Sequence, residues 1–296
     1  MMKDILDWGI EVVLWFQQFS PDLDVPFKII TFFGDEGFFL LFFPTLYWCW
    51  DKKNGIRLTL LFLVSAYINF IAKSLFDQPR PYQYDSRVEP IVRSSGGGLP
   101  SGHTQGSVVL WGFLMSKYKL NWLMVLGIIM IIIVPLSRIY LGVHFPTDLL
   151  GGYIIGFGLL LLYLRIEPKV ERWFSEQRLI KQILFAAILP LVFFAFSNGD
   201  KEMVSVAGAL LGLSVGFVLE DEWVRFDESG VWWQKTLRFI AGVIGLGVFW
   251  LGVKIIFQNA APEMVFQAIR YILVGLWGGF GAPWLFVKLK LASRHV

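Results

Sequence analysis

Cysteine and charge are both scarce in this 296-residue chain, and each scarcity removes a class of protein from consideration. One cysteine, Cys49, cannot close an intrachain disulfide, so a secreted, disulfide-stapled scaffold is excluded. Asp, Glu, Lys and Arg make up 17% of residues, against about a quarter in soluble domains. The net charge of +3 is spread among loops, with no basic stripe interleaved with aromatics, which removes nucleic acid as a partner. The amino terminus carries Asp4, Asp7 and Glu11 inside its first apolar stretch and lacks the charge order and small-residue cleavage site of a signal peptide, so it is expected to stay on the mature chain. No low-complexity tract and no repeat between the halves is found, which leaves an inverted-repeat transporter without support.

What is abundant is apolar surface. Hydrophobic residues are 56% of the chain and aromatics 17%, with a mean hydropathy of +0.61, so the bilayer is the expected solvent. A spanning helix needs about 20 apolar residues, and ten candidates lie near 4–19, 30–50, 57–76, 103–117, 121–141, 146–165, 182–197, 203–219, 238–257 and 266–287. The first is short and carries three carboxylates, so it reads equally as an amphipathic helix lying in the interface. The fold class is therefore all-α, a polytopic membrane helical bundle. Its most polar interval, 166–181, divides a six-helix first part, 1–165, from about four further helices in 182–296. Trp48 and Trp50, beside Cys49, read as an interfacial aromatic belt.

Threading the helices alternately through a membrane puts Lys52, Lys53, Arg57, Lys117, Lys119, Lys169, Arg172, Arg178 and most remaining cations on one side, which the positive-inside rule makes cytoplasmic. The poorer, outer side holds three polar segments. The first runs from Lys73 to Arg80 and Pro81, where two prolines, Pro79 and Pro81, force the chain out of a helix. The second is Pro100-Ser101-Gly102-His103, after the flexible run Gly96-Gly97-Gly98. The third is Ser137-Arg138 with His144 and Asp148, Pro146 being placed to start a helix.

Together these residues suit an oxyanion. Arg80 and Arg138 offer planar forks for two phosphate oxygens each and Lys73 a compact charge. Ser101 is a good N-cap, and with Gly102 it lets helix-start N–H groups approach an anion as an oxyanion hole would. His144 and Asp148 are four residues apart, so the carboxylate can fix the imidazole tautomer and leave the other nitrogen free to attack, with His103 as the acid that protonates the leaving oxygen. The third histidine, His295, is next to last and is expected to be frayed.

The three segments resemble the signature motifs of the type 2 phosphatidic acid phosphatase (PAP2) superfamily, Lys-x6-Arg-Pro, Pro-Ser-Gly-His and Ser-Arg-x5-His-x3-Asp, at every fixed letter and in order. The resemblance covers roughly 4–165. It implies an integral membrane phosphatase that needs no metal or cofactor and works through a phosphohistidine intermediate. By the same resemblance His144 is the nucleophile, Asp148 its orienting partner and His103 the general acid, while Lys73, Arg80, Ser101, Gly102 and Arg138 bind phosphate. The substrate class it implies is a lipid phosphate or lipid pyrophosphate, met among membrane lipids at the extracytoplasmic face of the cytoplasmic membrane. The superfamily also includes soluble vanadium haloperoxidases, against which membrane burial argues, and glucose-6-phosphatases, so a sugar-phosphate substrate stays open. The alternative from another class is a transport or lipid-flipping protein whose phosphate site does not cleave.

Residues 182–296 show no catalytic pattern. Gly208, Gly212 and Gly216 recur every fourth residue, which favours close packing within the chain and leaves a homodimer through these helices possible. The acidic stretch Glu220 to Glu228 reads as a solvated loop in preference to a metal site, because no spacing there matches a cation loop, and Lys254 is expected to snorkel from the outer end of its helix.

Overall fold

The computed structural model describes residues 2–257 and 261–295. It is helical, and among the described residues the β-structure is one isolated bridge between Phe226 and Arg294. The chain divides into two compact units, one of residues 1–40 with 68–166 and the other of 41–67 with 167–296.

The first unit holds α1 (Met2–Gln17), α2 (Asp24–Phe32), the start of α3 (Glu36–Thr45), the end of α4 (Lys52–Phe76), the short α5 (Pro81–Tyr84), α6 (Gly102–Tyr118), α7 (Asn121–Tyr140) and most of α8 (Pro146–Ser175). Its centre is α6, where every residue from Thr104 to Leu114 is buried, the polar Thr104, Gln105 and Ser107 included. Helix α8 comes close to it because Gly152 lacks a side chain: a Cβ there would lie 2.7 Å from the Ser101 carbonyl and 2.8 Å from Thr104 Cβ. That approach sets the start of α8 against the start of α6. Helix α1 buries Leu6, Ile10 and Val13, a 3-to-4 residue stripe, against Val88, Ile139, Phe145 and Leu149.

In the second unit, α10 (Lys201–Leu219) packs on α12 (Glu263–Leu276) through small residues. A Cβ on Gly208 would sit 3.0 Å from the Ala268 carbonyl, and one on Gly275 would sit 2.6 Å from that of Ala209. The glycine stripe is thus filled from within the chain, which leaves Gly208, Gly212 and Gly216 no free face for a second copy. Arg238, fully buried on α11 (Trp232–Ile256), donates to the carbonyls of Trp48, Glu228, Ser229 and Leu291 and so ties three loop ends together.

Of the ten expected spans, seven correspond to helices long and apolar enough to cross a membrane. The 30–50 segment is instead a pair of helices, Asp24–Phe32 and Glu36–Trp50, bent by 43° and counting as an eighth span if taken as one. The segments at 4–19 and 103–117 form helices of 16 and 17 residues, about 25 Å long at 1.5 Å per residue and so short of a 30 Å hydrocarbon core.

Other expectations change as well. Within the polar interval 166–181, α8 runs on to Ser175 and α9 (Leu179–Phe196) begins four residues later, while 41–67 falls in the second unit. There Arg57 pairs with Glu167 at 2.7 Å and with Glu171, which pulls the polar turns of α8 toward the start of α4. Trp48 is buried, its indole N–H on the Gly278 carbonyl at 3.0 Å, so of the two tryptophans beside Cys49 only Trp50 is exposed. Glu220 is not solvated but fully buried, paired with Lys52 at 2.7 Å and accepting the Phe226 N–H. His295 is held by its backbone N–H on the Arg225 carbonyl at 2.8 Å, so it is not frayed. Lys254 is exposed and lies over the Trp250 ring, a cation–π contact compatible with the expected snorkelling.

Candidate active site

Each motif residue sits where a helix starts or stops, all within the first unit. Lys73 is in the last turn of α4, Arg80 precedes α5, Ser101 caps α6, Arg138 is in the last turn of α7, and Asp148 is in the first turn of α8. The sequence sets these positions locally. Pro79 and Pro81 stop helix propagation around Arg80, Ser101 Oγ accepts the Thr104 N–H at 3.3 Å, and Pro146 occupies the first position of α8, where its missing N–H is not needed.

The structure brings the predicted residues together. His144 is buried, with Nδ1 3.1 Å from Asp148 Oδ2 and Nε2 3.3 Å from an Arg80 guanidinium nitrogen. A carboxylate only accepts and a guanidinium only donates, so the two contacts assign the ring: the proton is on Nδ1 and the lone pair on Nε2. The Asp148 carboxylate is held in turn by the Phe145 N–H at 2.9 Å and by Gln78 Nε2 at 2.7 Å. Its main-chain carbonyl accepts the Ser101 N–H at 2.9 Å, which locks the second motif to the third.

The cations are arranged by carbonyls and hydroxyls. Lys73 Nζ donates to Gly97 O at 2.6 Å, and Arg80 donates to the carbonyls of Ser95, Gly96 and Val143 at 2.7, 3.0 and 2.9 Å. The glycine run expected to be flexible is thus clasped by the two cations it follows in the chain. It must be glycine in two places: Gly96 has φ +68°, and a Cβ on Gly98 would be 3.0 Å from Asp148 Oδ2. Arg138 donates to Thr31 Oγ1 at 2.6 Å and to Ser94 Oγ at 3.0 Å, while its buried Nε has no acceptor. A buried donor without an acceptor is costly, and an anion would satisfy it.

Two of the predicted roles are modified by the geometry. Ser101 uses its own N–H on Asp148, so an oxyanion at this helix start would meet the N–H groups of Gly102 and His103, which the helix itself leaves without carbonyl acceptors. His103 Nε2 lies 2.9 Å from Asp35 Oδ1, a partner that no motif contains. Asp35, Gln78, Thr31 and Ser94 are the residues that sequence reasoning missed. A signal existed for the first: an Asp35-Glu36 pair five residues into a 20-residue apolar run is too costly for lipid and marks a break. Gln78, Thr31 and Ser94 lie at positions with no pattern of their own.

Burial, then the charges of Lys73, Arg138 and Arg80, push the His144 imidazole well below its ordinary value. The sign follows directly. A lowered value keeps the ring neutral, and Nε2 nucleophilic, at pH values where an ordinary histidine with a value of about 6.5 is half protonated. The acid limb of kcat/KM, corrected for the substrate's own ionisation, is therefore expected to fall below pH 6.5. A limb at or above that pH would show that the cations do not act on this ring.

Comparison with known proteins gives a consistent picture. The PAP2 superfamily model matches residues 54–172, which contain all three motifs, and the model described as "PAP2 superfamily phosphatase, transmembrane extension" matches 204–294. The chain is 25% identical over 203 residues to sphingosine-1-phosphate phosphatase 1 of Mus musculus, covering 64% of this chain and 47% of that protein. It is 30% identical over 134 residues to phosphatidylglycerophosphatase B of Bacillus subtilis, covering 42% and 62%. Against the glucose-6-phosphatase catalytic subunit 1 of Haplochromis nubilus it is 22% identical over 273 residues, covering 81% and 75%. The first relatives are thus spanned over about half to three fifths of their own length.

Proposed function

We propose, from the premise that this chain belongs to the PAP2 superfamily, that it is a phosphatase removing phosphate from a lipid phosphate or lipid pyrophosphate at the outer face of its membrane. The observation that carries the reading is the assigned imidazole of His144, its lone pair pointed among Lys73, Arg80 and Arg138.

The chemistry follows from what each group can do. The phosphoryl oxygens bind Arg138, Arg80 and Lys73, satisfying the bare Arg138 Nε and replacing part of the Arg80 contact to Nε2. Released from that contact, Nε2 attacks phosphorus as the P–O bond to the lipid breaks, and His103 gives its proton to the departing oxygen. Asp148 accepts the Nδ1–H throughout and stabilises the positive ring of the phosphohistidine. His103, now neutral, takes a proton from the water that attacks phosphorus, and the P–N bond breaks to return free His144. Three cations around the reacting oxygens supply the charge neutralisation that a metal would otherwise give, and they repel a divalent ion, so turnover is expected to persist in a chelator.

The lipid character of the substrate is supported by the setting, helices long and apolar enough to cross a membrane, and by the relatives named for sphingosine-1-phosphate and phosphatidylglycerophosphate. The long overlap with a glucose-6-phosphatase subunit favours a second reading, a sugar phosphate, in the same site. The outer face is supported by the distribution of Lys and Arg among the loops. The division into a phosphatase part over 1–165 and an accessory helical part over 182–296 is retained as part of this proposal, the latter with no assigned role.

The deciding experiment presents the purified protein with a panel of lipid phosphates, lipid pyrophosphates and glucose 6-phosphate in excess chelator, with and without vanadate, and measures phosphate release. Lipid hydrolysis that survives the chelator and is blocked by vanadate, a mimic of the five-coordinate transition state, is expected. Chelator-sensitive, vanadate-insensitive activity would overturn the mechanism, and hydrolysis of the sugar phosphate alone would overturn the substrate class. In right-side-out vesicles, membrane-impermeant substrate should be consumed without opening the vesicles, whereas a need for permeabilisation would place the site on the other face.

A further inference from the structure

We propose that Asp35 is a positioning residue that orients His103 and favours its protonated form for proton donation, making the break between α2 and α3 a fourth element of the active site. The proposal rests on the phosphatase reading given above. Asp35 lies outside the three motifs and outside the matched range 54–172.

The break is rigid. Gly34 N–H bonds the Thr31 carbonyl at 2.8 Å, Asp35 N–H that of Phe32 at 3.0 Å, and Phe38 N–H that of Asp35 at 3.1 Å, so the carboxylate stands on a closed turn. The turn lies directly on the imidazole: a Cβ on Gly34 would be 2.5 Å from His103 Cδ2 and 3.1 Å from Val134 Cγ1. From this position Asp35 Oδ1 reaches His103 Nε2 at 2.9 Å. Four residues earlier, one turn back, Thr31 holds the Arg138 guanidinium at 2.6 Å. A single turn of chain thereby fixes both the acid and one arm of the phosphate clamp.

The electrostatic need for such a partner is plain. The charged groups that bear on His103 are Asp35 from the break, Arg138 from α7 and Lys73 from α4, with His144 facing it from the α7–α8 connection. Burial first, and then both cations, oppose a second proton on the ring, and Asp148 is already engaged by His144, Phe145 and Gln78. Asp35 is the group among these that favours the imidazolium. With Nε2 directed to Asp35, Nδ1 is the nitrogen left to pass its proton to the leaving oxygen.

The test compares kcat/KM against pH for wild type, Asp35→Asn and Asp35→Glu, each with an alkyl phosphate and with an aryl phosphate of good leaving ability. Loss of the carboxylate lowers the proton affinity of His103, so the alkaline limb of the Asn variant should move to lower pH by about one unit, about a tenfold loss on the alkaline side. The aryl substrate, which needs little acid, should change less than about threefold. The Glu variant should recover most of the limb, and because it keeps the charge it carries the test if the Asn variant does not fold. An unshifted limb, or an equal loss on both substrates without recovery in Glu, would reduce Asp35 to a structural role and overturn the proposal. If His103→Asn itself loses activity equally on both substrates, it is the acid assignment of the parent reading that fails.

Discussion

Replacing His144 with alanine is expected to lower turnover by roughly 10,000-fold or more, the scale on which removing a covalent nucleophile disables an enzyme. Nothing nearby can substitute. The nitrogen that meets Nε2 is on Arg80, which has no lone pair to offer, and Nε2 of His103 is turned to Asp35. The fold should survive, because the shell around the ring is tied independently: Asp148 keeps its bonds from Phe145 and Gln78, and Arg80 keeps its three carbonyls. Phosphate and vanadate should still bind to Lys73, Arg80 and Arg138, though vanadate more weakly for want of an apical nitrogen. The check is a single-turnover assay with trapping of acid-labile phosphoprotein. Wild type should show the label and His144→Ala none, and turnover within tenfold of wild type would remove His144 from the mechanism.

The second large effect is expected for Asp148→Asn, and its interest is that it separates charge from orientation. One atom, Oδ2, accepts both the His144 Nδ1–H and the Phe145 N–H, so the single oxygen of an asparagine will take that place. Its NH2 then faces Gln78 Nε2, a donor against a donor at 2.7 Å, which Gln78 relieves by turning its own amide over. The imidazole keeps its tautomer and position, but the positive ring of the proposed phosphohistidine loses a buried counter-charge. A loss of about 1,000-fold in turnover is expected, with substrate affinity little changed. Steady-state kcat and KM decide it: a loss confined to KM, or kcat within fivefold of wild type, would show that Asp148 serves the fold and not the reaction.

How much of this was readable beforehand differs from residue to residue. His144 and Asp148 were legible as a pair because four residues is one helical turn, and that spacing survives folding: Pro146 starts α8 between them and the ring meets the carboxylate. Arg80 and Lys73 were legible as cations misplaced near a membrane. Their orientation was not, because what aims them is a row of carbonyls on the 95–98 loop, and a backbone carbonyl has no sequence signature.

The apolar blocks by themselves determined that this protein is a helical membrane bundle, since no other segment type satisfies its backbone in lipid, and the spacing of the three motifs determined which residues belong to one site. Tertiary structure alone decided the rest. It placed Asp35 on His103 and Thr31 on Arg138 across sequence separations of 68 and 107 residues. It set 41–67 with the carboxy-terminal unit instead of the first. It filled the glycine stripe of α10 with α12 and buried Glu220 against Lys52 where a solvated loop was expected. The physical reason is common to all of these. Periodicity and composition report what a segment does to its own backbone and to the solvent, whereas a hydrogen bond between distant side chains, or a groove that only glycine can leave open, exists only once packing has brought both sides together.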